Sequence, residues 1–309
     1  TPGAPISEED GGWVLHELAI VVDRQGKYAE AEGLLRQALA IKEQTLGVQH
    51  LDYASSLHVL AKVLEDQGKY VEAEELLRRA LAIKEQAHGT QHPNYGASLH
   101  VLATVLGHQG RYREAEELLR KVVAIHQQEL GAHHPAYSTA LHALAIVLDA
   151  QGKYAEAEGL LQQALDISGQ VLGLQHPSQG ASLHALASVL EEQGRYSEAE
   201  ELLRQALHIK KQALGDQHPE YGASLHQLAI MLSMQGRFAE AEVLLRQSLI
   251  ISAAALGEQH PDYGAGLSVL AGVLISLGRY RESEELLRKA LEIEEQALGM
   301  HHPALWATL

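Results

Sequence analysis

The sequence predicts an all-α solenoid of seven helix–turn–helix units, because three sets of residues recur every 42 positions. One glycine set falls at Gly26, Gly68, Gly110, Gly152, Gly194, Gly236 and Gly278. A second glycine set falls at Gly47, Gly89, Gly131, Gly173, Gly215, Gly257 and Gly299. A histidine set falls at His50, His92, His134, His176, His218, His260 and His302. Units with a fixed period stack on their neighbours, and such arrays offer long surfaces rather than one catalytic cleft.

The histidine set marks the start of the first helix of each unit, here called helix A. In the unit of residues 92–131, Pro93 follows the histidine, and proline is favoured at the first helical position because its missing N–H would be unpaired there. Apolar residues such as Leu99 and Leu102 then recur at helical spacing. Gly110 can adopt the left-handed conformation that ends helices, so helix A is predicted to stop there.

The second helix of the unit, helix B, is predicted to start near Tyr112. Glu114 lies in its first turn, where the helix dipole favours acidic residues. Leu119 and Ile125 belong to its apolar stripe, and Gly131 marks its end. A small residue recurs in helix B where the two helices must approach closely, at Ala31, Ala73, Ala115, Ala157, Ala199, Ala241 and Ser283.

Helix B also carries acid–base pairs at i,i+4 spacing. The pairs are Glu32–Arg36, Glu74–Arg78, Glu116–Arg120, Glu200–Arg204, Glu242–Arg246 and Glu284–Arg288. Each pair contributes only about 0.2–0.5 kcal/mol. We therefore interpret this ladder as a solvated, stabilising helix face rather than a functional site.

Composition excludes several classes of function. The net charge is −16 with histidine neutral, which disfavours binding to nucleic acid or to an anionic membrane and is compatible with a basic partner. The chain has no cysteine, so it has no disulfide and no thiolate chemistry. No apolar run reaches transmembrane length. These features favour a cytoplasmic, intracellular protein that binds neither nucleic acid nor membrane.

The period also sets the expected domain boundaries. Residues 1–10 are predicted to be a flexible lead-in, residues 11–302 seven repeats in one solenoid, and residues 303–309 the truncated start of an eighth repeat. Because solenoids usually end in polar capping units, we expect the chain to be a segment of a longer protein. Uncapped ends also predict weak end-to-end self-association.

The motifs of the unit resemble a known repeat family. Leu-x-x-Leu-Ala, then Gln-Gly-Lys-Tyr-x-Glu-Ala-Glu and Ala-Leu, is similar to the tetratricopeptide repeat, and Leu-Gly-x-x-His-Pro with the 42-residue step resembles its kinesin-light-chain subtype. The resemblance covers about residues 12–309. It implies a right-handed superhelix in which helix A lines a concave groove and helix B the convex side. It also implies that the groove binds peptides or protein segments and that the repeats alone are not enzymes.

The sequence departs from this family at one groove position. Kinesin light chains typically carry Asn-Asn before Leu-Ala, and these asparagines can hold a peptide backbone. Here a histidine row replaces them, at His16, His58, His100, His142, His184 and His226. Three interpretations stay open: a relic of duplication, a partner-binding row of donors and acceptors that titrates near neutral pH, or core histidines that are satisfied internally.

Other expected groove positions differ between units. Four residues after the histidine position stand Ile20, Lys62, Thr104, Ile146, Ser188, Ile230 and Gly272. Seven residues after it stand Asp23, Glu65, Gly107, Asp149, Glu191, Ser233 and Ile275. We add Lys62, Glu65, Asp149 and Glu191 to the histidine row as candidate partner-binding residues.

Catalytic and metal-binding motifs are absent from the sequence. It contains no Gly-x-x-x-x-Gly-Lys-Ser/Thr, His-Glu-x-x-His or Gly-x-Ser-x-Gly. Neighbouring A helices should lie about 8–10 Å apart, which places histidines of one column poorly for a shared metal ion. The sequence therefore predicts no enzyme, no cofactor and no metal. It favours a protein–protein interaction module, with a structural spacer or self-assembly solenoid, acting through its ends and convex face, as the alternative.

Overall fold

The computed structural model describes residues 8–298, and over that range the chain forms fourteen α-helices and no strand. Helices with odd numbers are the A helices and those with even numbers the B helices. Their bounds are α1 (Glu8–Asp23), α2 (Tyr28–Thr45), α3 (Leu51–Asp66), α4 (Tyr70–His88), α5 (Pro93–His108), α6 (Tyr112–Glu129), α7 (Pro135–Asp149), α8 (Tyr154–Leu172), α9 (Pro177–Glu192), α10 (Tyr196–Leu214), α11 (Pro219–Met234), α12 (Phe238–Leu256), α13 (Pro261–Ser276) and α14 (Tyr280–Leu298). The predicted all-α fold of helix–turn–helix repeats is confirmed.

The first and last segments bear on the expected boundaries. Helix α1 begins at Glu8, so the last three residues of the expected lead-in 1–10 are helical. The rest of that lead-in and the expected eighth repeat, residues 303–309, lie outside the described residues.

The A helices begin as the sequence predicts. The His92 side chain caps α5, because its Nδ1 accepts the backbone N–H of Asn94 at 3.1 Å. The same cap occurs at His50, His134, His176, His218 and His260, where Nδ1 accepts the backbone N–H of the residue two positions on, with N–N distances of 3.1–3.2 Å. Gly110 then ends the helix with φ +75°, and the Arg111 amide reaches back to the Leu106 carbonyl at 2.9 Å.

Helices α2, α4, α6, α10 and α12 begin without a side-chain hydrogen bond at the cap position, and the structure gives the reason. Arg111 holds the cap position of α6 and makes no capping hydrogen bond. Its guanidinium instead donates to Glu114 in the first turn at 2.6–2.7 Å and to Glu74 of the preceding B helix at 2.8–2.9 Å. A basic residue therefore serves this turn because it joins one repeat to the next.

The ion ladder is correspondingly more than an intrahelical feature. All six predicted i,i+4 pairs form. Five of their glutamates also take a cation from the next repeat at 2.6–2.8 Å: Glu32 from Lys69, Glu74 from Arg111, Glu116 from Lys153, Glu200 from Arg237 and Glu242 from Arg279. Hydrogen bonds from Lys69 and Lys153 lower the pKa of Glu32 and Glu116 to about 2. The ladder therefore also links neighbouring repeats.

The chain divides into two compact units, Thr1–Ile167 and Ser168–Leu309, with the boundary inside α8. In the first unit, consecutive helices from α1 to α7 pack in sequence, and Tyr137, Leu141, Ala164 and Ile167 form a buried cluster. In the second unit, helices α9 to α14 likewise pack consecutively. The predicted small residues of the B helices are fully buried in both units, and Ser283 is satisfied by a 3.0 Å hydrogen bond to the Ala271 carbonyl.

Candidate functional site

Consecutive A helices are direct neighbours within each unit. Contacts join α1 to α3, α3 to α5 and α5 to α7 in the first unit, and α11 to α13 in the second. Residues at one repeat position of neighbouring A helices therefore face a shared surface. We call this surface the A-helix face, and the candidate residues of the histidine row are placed along it.

Three histidines of the row, His16, His58 and His184, each hydrogen-bond to a serine of the next A helix. His58 Nδ1 lies 3.1 Å from Ser98 Oγ, which is on the next A helix, and Lys84 Nζ from the intervening B helix donates to the same hydroxyl at 2.7 Å. We call this arrangement the polar triad. Two further triads have the same connections: His16, Ser56 and Lys42 at 2.9–3.0 Å, and His184, Ser224 and Lys210 at 2.9–3.0 Å.

The triads are buried between repeats. Ser98 is fully buried and only 6% of Lys84 is exposed, while the His58 ring is half-buried. No carboxylate faces Lys84, whose Nζ donates instead to Ser98 and to the Asn94 carbonyl at 3.2 Å. Burial therefore lowers the pKa of Lys84 to about 8. Each triad joins three helices of two adjacent repeats.

The pKa is lowered from its ordinary value at four positions of the row, which are His16, His58, His100 and His226. Burial first, and the Lys84 charge second, lower the pKa of His58 to about 3. Burial, with the neighbouring His126 and His142, lowers the pKa of His100 to about 4. Burial also lowers the pKa of His226. The lowered pKa values make His58, His100 and His226 neutral near pH 7, and the triad histidines are hydrogen-bonded inside the protein. A partner-binding role of the row stays a prediction.

The triad position varies among repeats. In α6, His126 replaces the lysine, and its Nδ1 lies 3.0 Å from the Ala136 carbonyl, the counterpart of the Asn94 carbonyl. At the same interface Ala140 replaces the serine, so His100 has no triad hydroxyl beside it. An imidazole can therefore take the place of the lysine ammonium against the same backbone carbonyl.

Acidic residues gather near the C-terminal ends of α1 and α3. Glu65 is half-buried, and burial first, then the charge of Asp66, raise its pKa to about 7. Burial and the charge of Asp23 likewise raise the pKa of Asp66. The Oδ1 atom of Asp23 is buried without a hydrogen bond. We call Asp23, Glu65 and Asp66 the acidic cluster.

Two cationic or basic groups border the acidic cluster. Lys62 is exposed on the same helix, and its charge partly offsets the rise in the pKa values of Glu65 and Asp66. His108 Nε2 of the next A helix lies 3.5 Å from Glu65, and its ring stacks on Tyr70 at 5.1 Å. Despite these neighbours Glu65 and Asp66 keep raised pKa values, so a further cation beside them would be favourable.

The remaining candidates lie elsewhere on the A helices. Asp149 is half-buried at the end of α7. Glu191 is half-buried in α9, and burial raises its pKa. Gln227 Nε2 lies 3.4 Å from Glu191 and 2.6 Å from Ser188. The structure thus brings Lys62 and Glu65 together, with Asp149 on a separate helix of the same unit and Glu191 in the other unit.

Sequence reasoning missed the lysine and serine of the triads and Asp66 of the acidic cluster. One signal was available: Lys42, Lys84 and Lys210 stand at a position of the B helices that packs inward, in step with the period.

Within the described range, no group of three histidine, cysteine or acidic side chains could hold a metal ion. In the same range no helix is both long and apolar enough to span a membrane.

A sequence model of the tetratricopeptide repeat matches the chain in six overlapping stretches, which are residues 12–86, 52–128, 102–170, 150–212, 179–252 and 220–296. None of the curated proteins matches the chain.

Solved structures agree with this match. A Podosopora anserina putative kinesin light chain, described as having nearly identical TPR-like repeats, is 36% identical over 67% of this chain and 98% of that chain, with a TM-score of 0.56. BtubC (BKLC) from P. vanneervenii is 21% identical over 76% of this chain and 92% of that chain, with a TM-score of 0.61. A Rap protein complexed with Competence and Sporulation Factor is 14% identical over 98% of this chain and 77% of that chain, with a TM-score of 0.71. The last two likenesses concern the fold alone.

Proposed function

Because the chain belongs to the tetratricopeptide repeat family, in its kinesin-light-chain-like form, we propose that it is a protein–protein interaction module whose A-helix face holds a peptide or protein segment. The similar Rap structure is of a complex with Competence and Sporulation Factor, which supports ligand binding by this kind of fold. We propose no enzymatic activity and no cofactor. We also propose a cytoplasmic location, which fractionation of source cells would test.

The acidic cluster is the observation that carries this proposal. A carboxyl group whose pKa is raised to about 7 is held in a place that disfavours its charge. A lysine or arginine from a partner would offset the repulsion between Glu65 and Asp66 and that between Asp66 and Asp23. The net charge of −16 would attract the same partners over a longer range. We therefore propose a basic segment as the ligand.

The histidine row has a supporting role in this proposal. Rings such as His58, His100 and His226 are half-buried and neutral, so they would offer hydrogen bonds without charge. His142 and His184 are half-buried at the same repeat position, whereas His16 is 9% exposed and so contributes least. Asp149 would add an acidic group to the A-helix face of the first unit, and Glu191 would add one to that of the second.

Selection of a displayed random peptide library on the intact protein would test the proposal. We expect enrichment of peptides with lysine or arginine, and their affinity for the variant Glu65→Gln with Asp66→Asn should fall about tenfold or more. The matched control is Glu75→Gln with Glu129→Gln, which removes the same charge from exposed positions of two B helices. Equal losses in both variants, or enrichment of peptides without basic residues, would contradict the proposal.

One observation favours the alternative of a self-assembly module. Helix α1 exposes apolar side chains, with Trp13 61%, Val21 52% and Leu18 46% exposed. Such a patch is typical of an interaction site. If it joins copies of the chain, sedimentation velocity should show a mass that rises with concentration and that returns to the monomer in the variant Trp13→Ser with Leu18→Ser. A constant monomer mass in the parent would refute self-association.

A further inference from the structure

The interface between the sixth and seventh repeats lacks two of the three triad side chains. His226 of α11 keeps the histidine position. Residue 252 of α12 is serine where Lys42, Lys84 and Lys210 stand in other repeats. Residue 266 of α13 is glycine where the triads have serine. This interface therefore lacks both the long cationic side chain and the serine hydroxyl that the triads have.

A cavity of about 550 Å³ occupies that place. It lies among α11, α12 and α13, and its lining includes His226, Leu249, Ser252, Leu256 and Asp262. Leu249 occupies the space of the missing serine side chain, since a Cβ on residue 266 would lie 2.8 Å from Leu249 Cδ2. The space of the missing lysine is left open, and its volume falls in the range of small-molecule sites.

The preceding repeat shows which ligand chemistry the cavity fits. There, Lys210 Nζ lies 3.0 Å from Ser224 Oγ, 3.4 Å from the Glu220 carbonyl and 3.8 Å from the Glu220 carboxylate. Asp262 is the counterpart of Glu220 in the next repeat, so it brings a carbonyl and a carboxylate to the same position. Ser252 is too short to place a donor there. Apolar walls from Leu249 and Leu256 suit the methylene stem of a lysine.

Among the described charged and titratable groups near the cavity, Asp262 is the carboxylate without a lysine or arginine partner. Glu220 is already within 3.8 Å of Lys210. His260 Nδ1 accepts the Asp262 backbone N–H as the cap of α13, with the Asp262 carboxylate 3.7 Å away. His226 is kept neutral by burial, which lowers its pKa. Two carboxylates, Glu220 and Asp262, therefore line the cavity, of which Glu220 already has Lys210 as a partner, and the described lining residues include no lysine or arginine.

We propose that this cavity is a binding site for an alkylammonium group, which takes the place of the lysine that the other repeats supply themselves. The cavity is larger than one lysine side chain, so it also admits the chain to which the ammonium is attached. Two sources share this chemistry: a lysine side chain of a bound peptide, and a free polyamine. The site lies in the second compact unit and does not rest on the acidic cluster of the first unit or on the function proposed for it.

Calorimetric titration of the intact protein with n-butylamine, as the protonated amine, tests the site. We expect saturable binding at one site per chain and none for n-butanol, which has the same stem without the charge. The variant Ser252→Lys places an ammonium group of the chain itself in the cavity and should weaken amine binding by about tenfold or more. Asp262→Asn should weaken it by a similar factor, because it removes the anion and keeps the shape.

A gain of function gives a matched second test. The variant Lys210→Ser with Ser224→Gly removes the same two side chains from the preceding repeat and should add a second amine site. Circular dichroism at each step shows whether the helices are retained. The affinities of two ligands then separate the two sources. Cadaverine is compared with an uncharged counterpart, and a lysine peptide is compared with the same peptide carrying norleucine. Absence of saturable amine binding to the folded parent, or unchanged binding to Ser252→Lys, would overturn the proposal.

Discussion

The buried ammonium of Lys84 gives a quantitative prediction about stability. Its pKa falls from an ordinary value near 10.5 to about 8 in the folded protein, and each unit corresponds to about 1.4 kcal/mol. The folded state therefore binds this proton less tightly than the unfolded state. Stability is reduced by the full amount below about pH 8 and is regained as the pH rises toward 10.5. Allowing for relaxation around the ion, we take the effect as roughly 2–3 kcal/mol.

The variant Lys84→Met isolates this effect. At neutral pH it removes the buried charge, but Ser98 loses a hydrogen-bond donor that contributes about 1–2 kcal/mol. We expect the variant to be as stable as the parent or more stable by about 1–2 kcal/mol near pH 7. Near pH 10.5 the parent lysine is neutral and still donates to Ser98, so the parent should then be more stable by about 1 kcal/mol.

Urea unfolding followed by circular dichroism at several pH values measures the difference. Lys121→Met is the matched control, because Lys121 is an exposed lysine of another B helix. Subtraction of the control removes the general effect of losing one positive charge from an acidic protein. If the free-energy difference between parent and Lys84→Met stays constant from about pH 7 to 10.5, the buried-ammonium reasoning is refuted.

Three further predictions concern single positions. Glu65→Gln should stabilise the protein by about 1–2 kcal/mol above pH 7, and this gain should vanish near pH 4.5. The reason is that a carboxyl group with a raised pKa contributes stability that is lost as the pH rises through about 7. Urea unfolding at both pH values measures the difference. His92→Ala should cost about 1 kcal/mol of unfolding free energy while His92→Asn retains most of the stability, since asparagine also accepts the first-turn amide. Gly236→Ala should cost about 1–2 kcal/mol, because φ at this turn is +78°; a thermal melt with no loss of stability would contradict the assignment.

Local sequence signals were enough to predict the fold. The His-Pro starts and the turn glycines act within a few residues, and the structure uses them as predicted, with histidine caps and positive φ values. The ion ladder was predicted in part: the i,i+4 pairs within a helix are visible in the sequence, but the contacts between repeats are not. The second cation, such as Lys69 on Glu32, comes from the next repeat and depends on how the repeats stack.

The candidate site was less predictable, because its contacts cross helices. His58 and Ser98 are 40 residues apart, and only the packing of neighbouring A helices joins them through Lys84. The sequence places Glu65 at a variable position of the repeat, but its raised pKa depends on burial and on Asp66. The cavity beside Ser252 could not be predicted from the sequence, in which serine at the lysine position looks like a neutral substitution.

The variation among triads has a consequence for folding fidelity. A chain of nearly identical units can pair non-adjacent helices, exchange units between molecules or stack with one repeat skipped. The buried lysine of each triad donates to a serine hydroxyl and a backbone carbonyl, as Lys84 does to Ser98 and Asn94. Stacked instead against Ala140 or Gly266, it would lack the hydroxyl, and the misplaced charge would be left short of a hydrogen bond. Interfaces that differ in this way penalise wrong neighbours and so help each repeat to find the one that follows it in the chain.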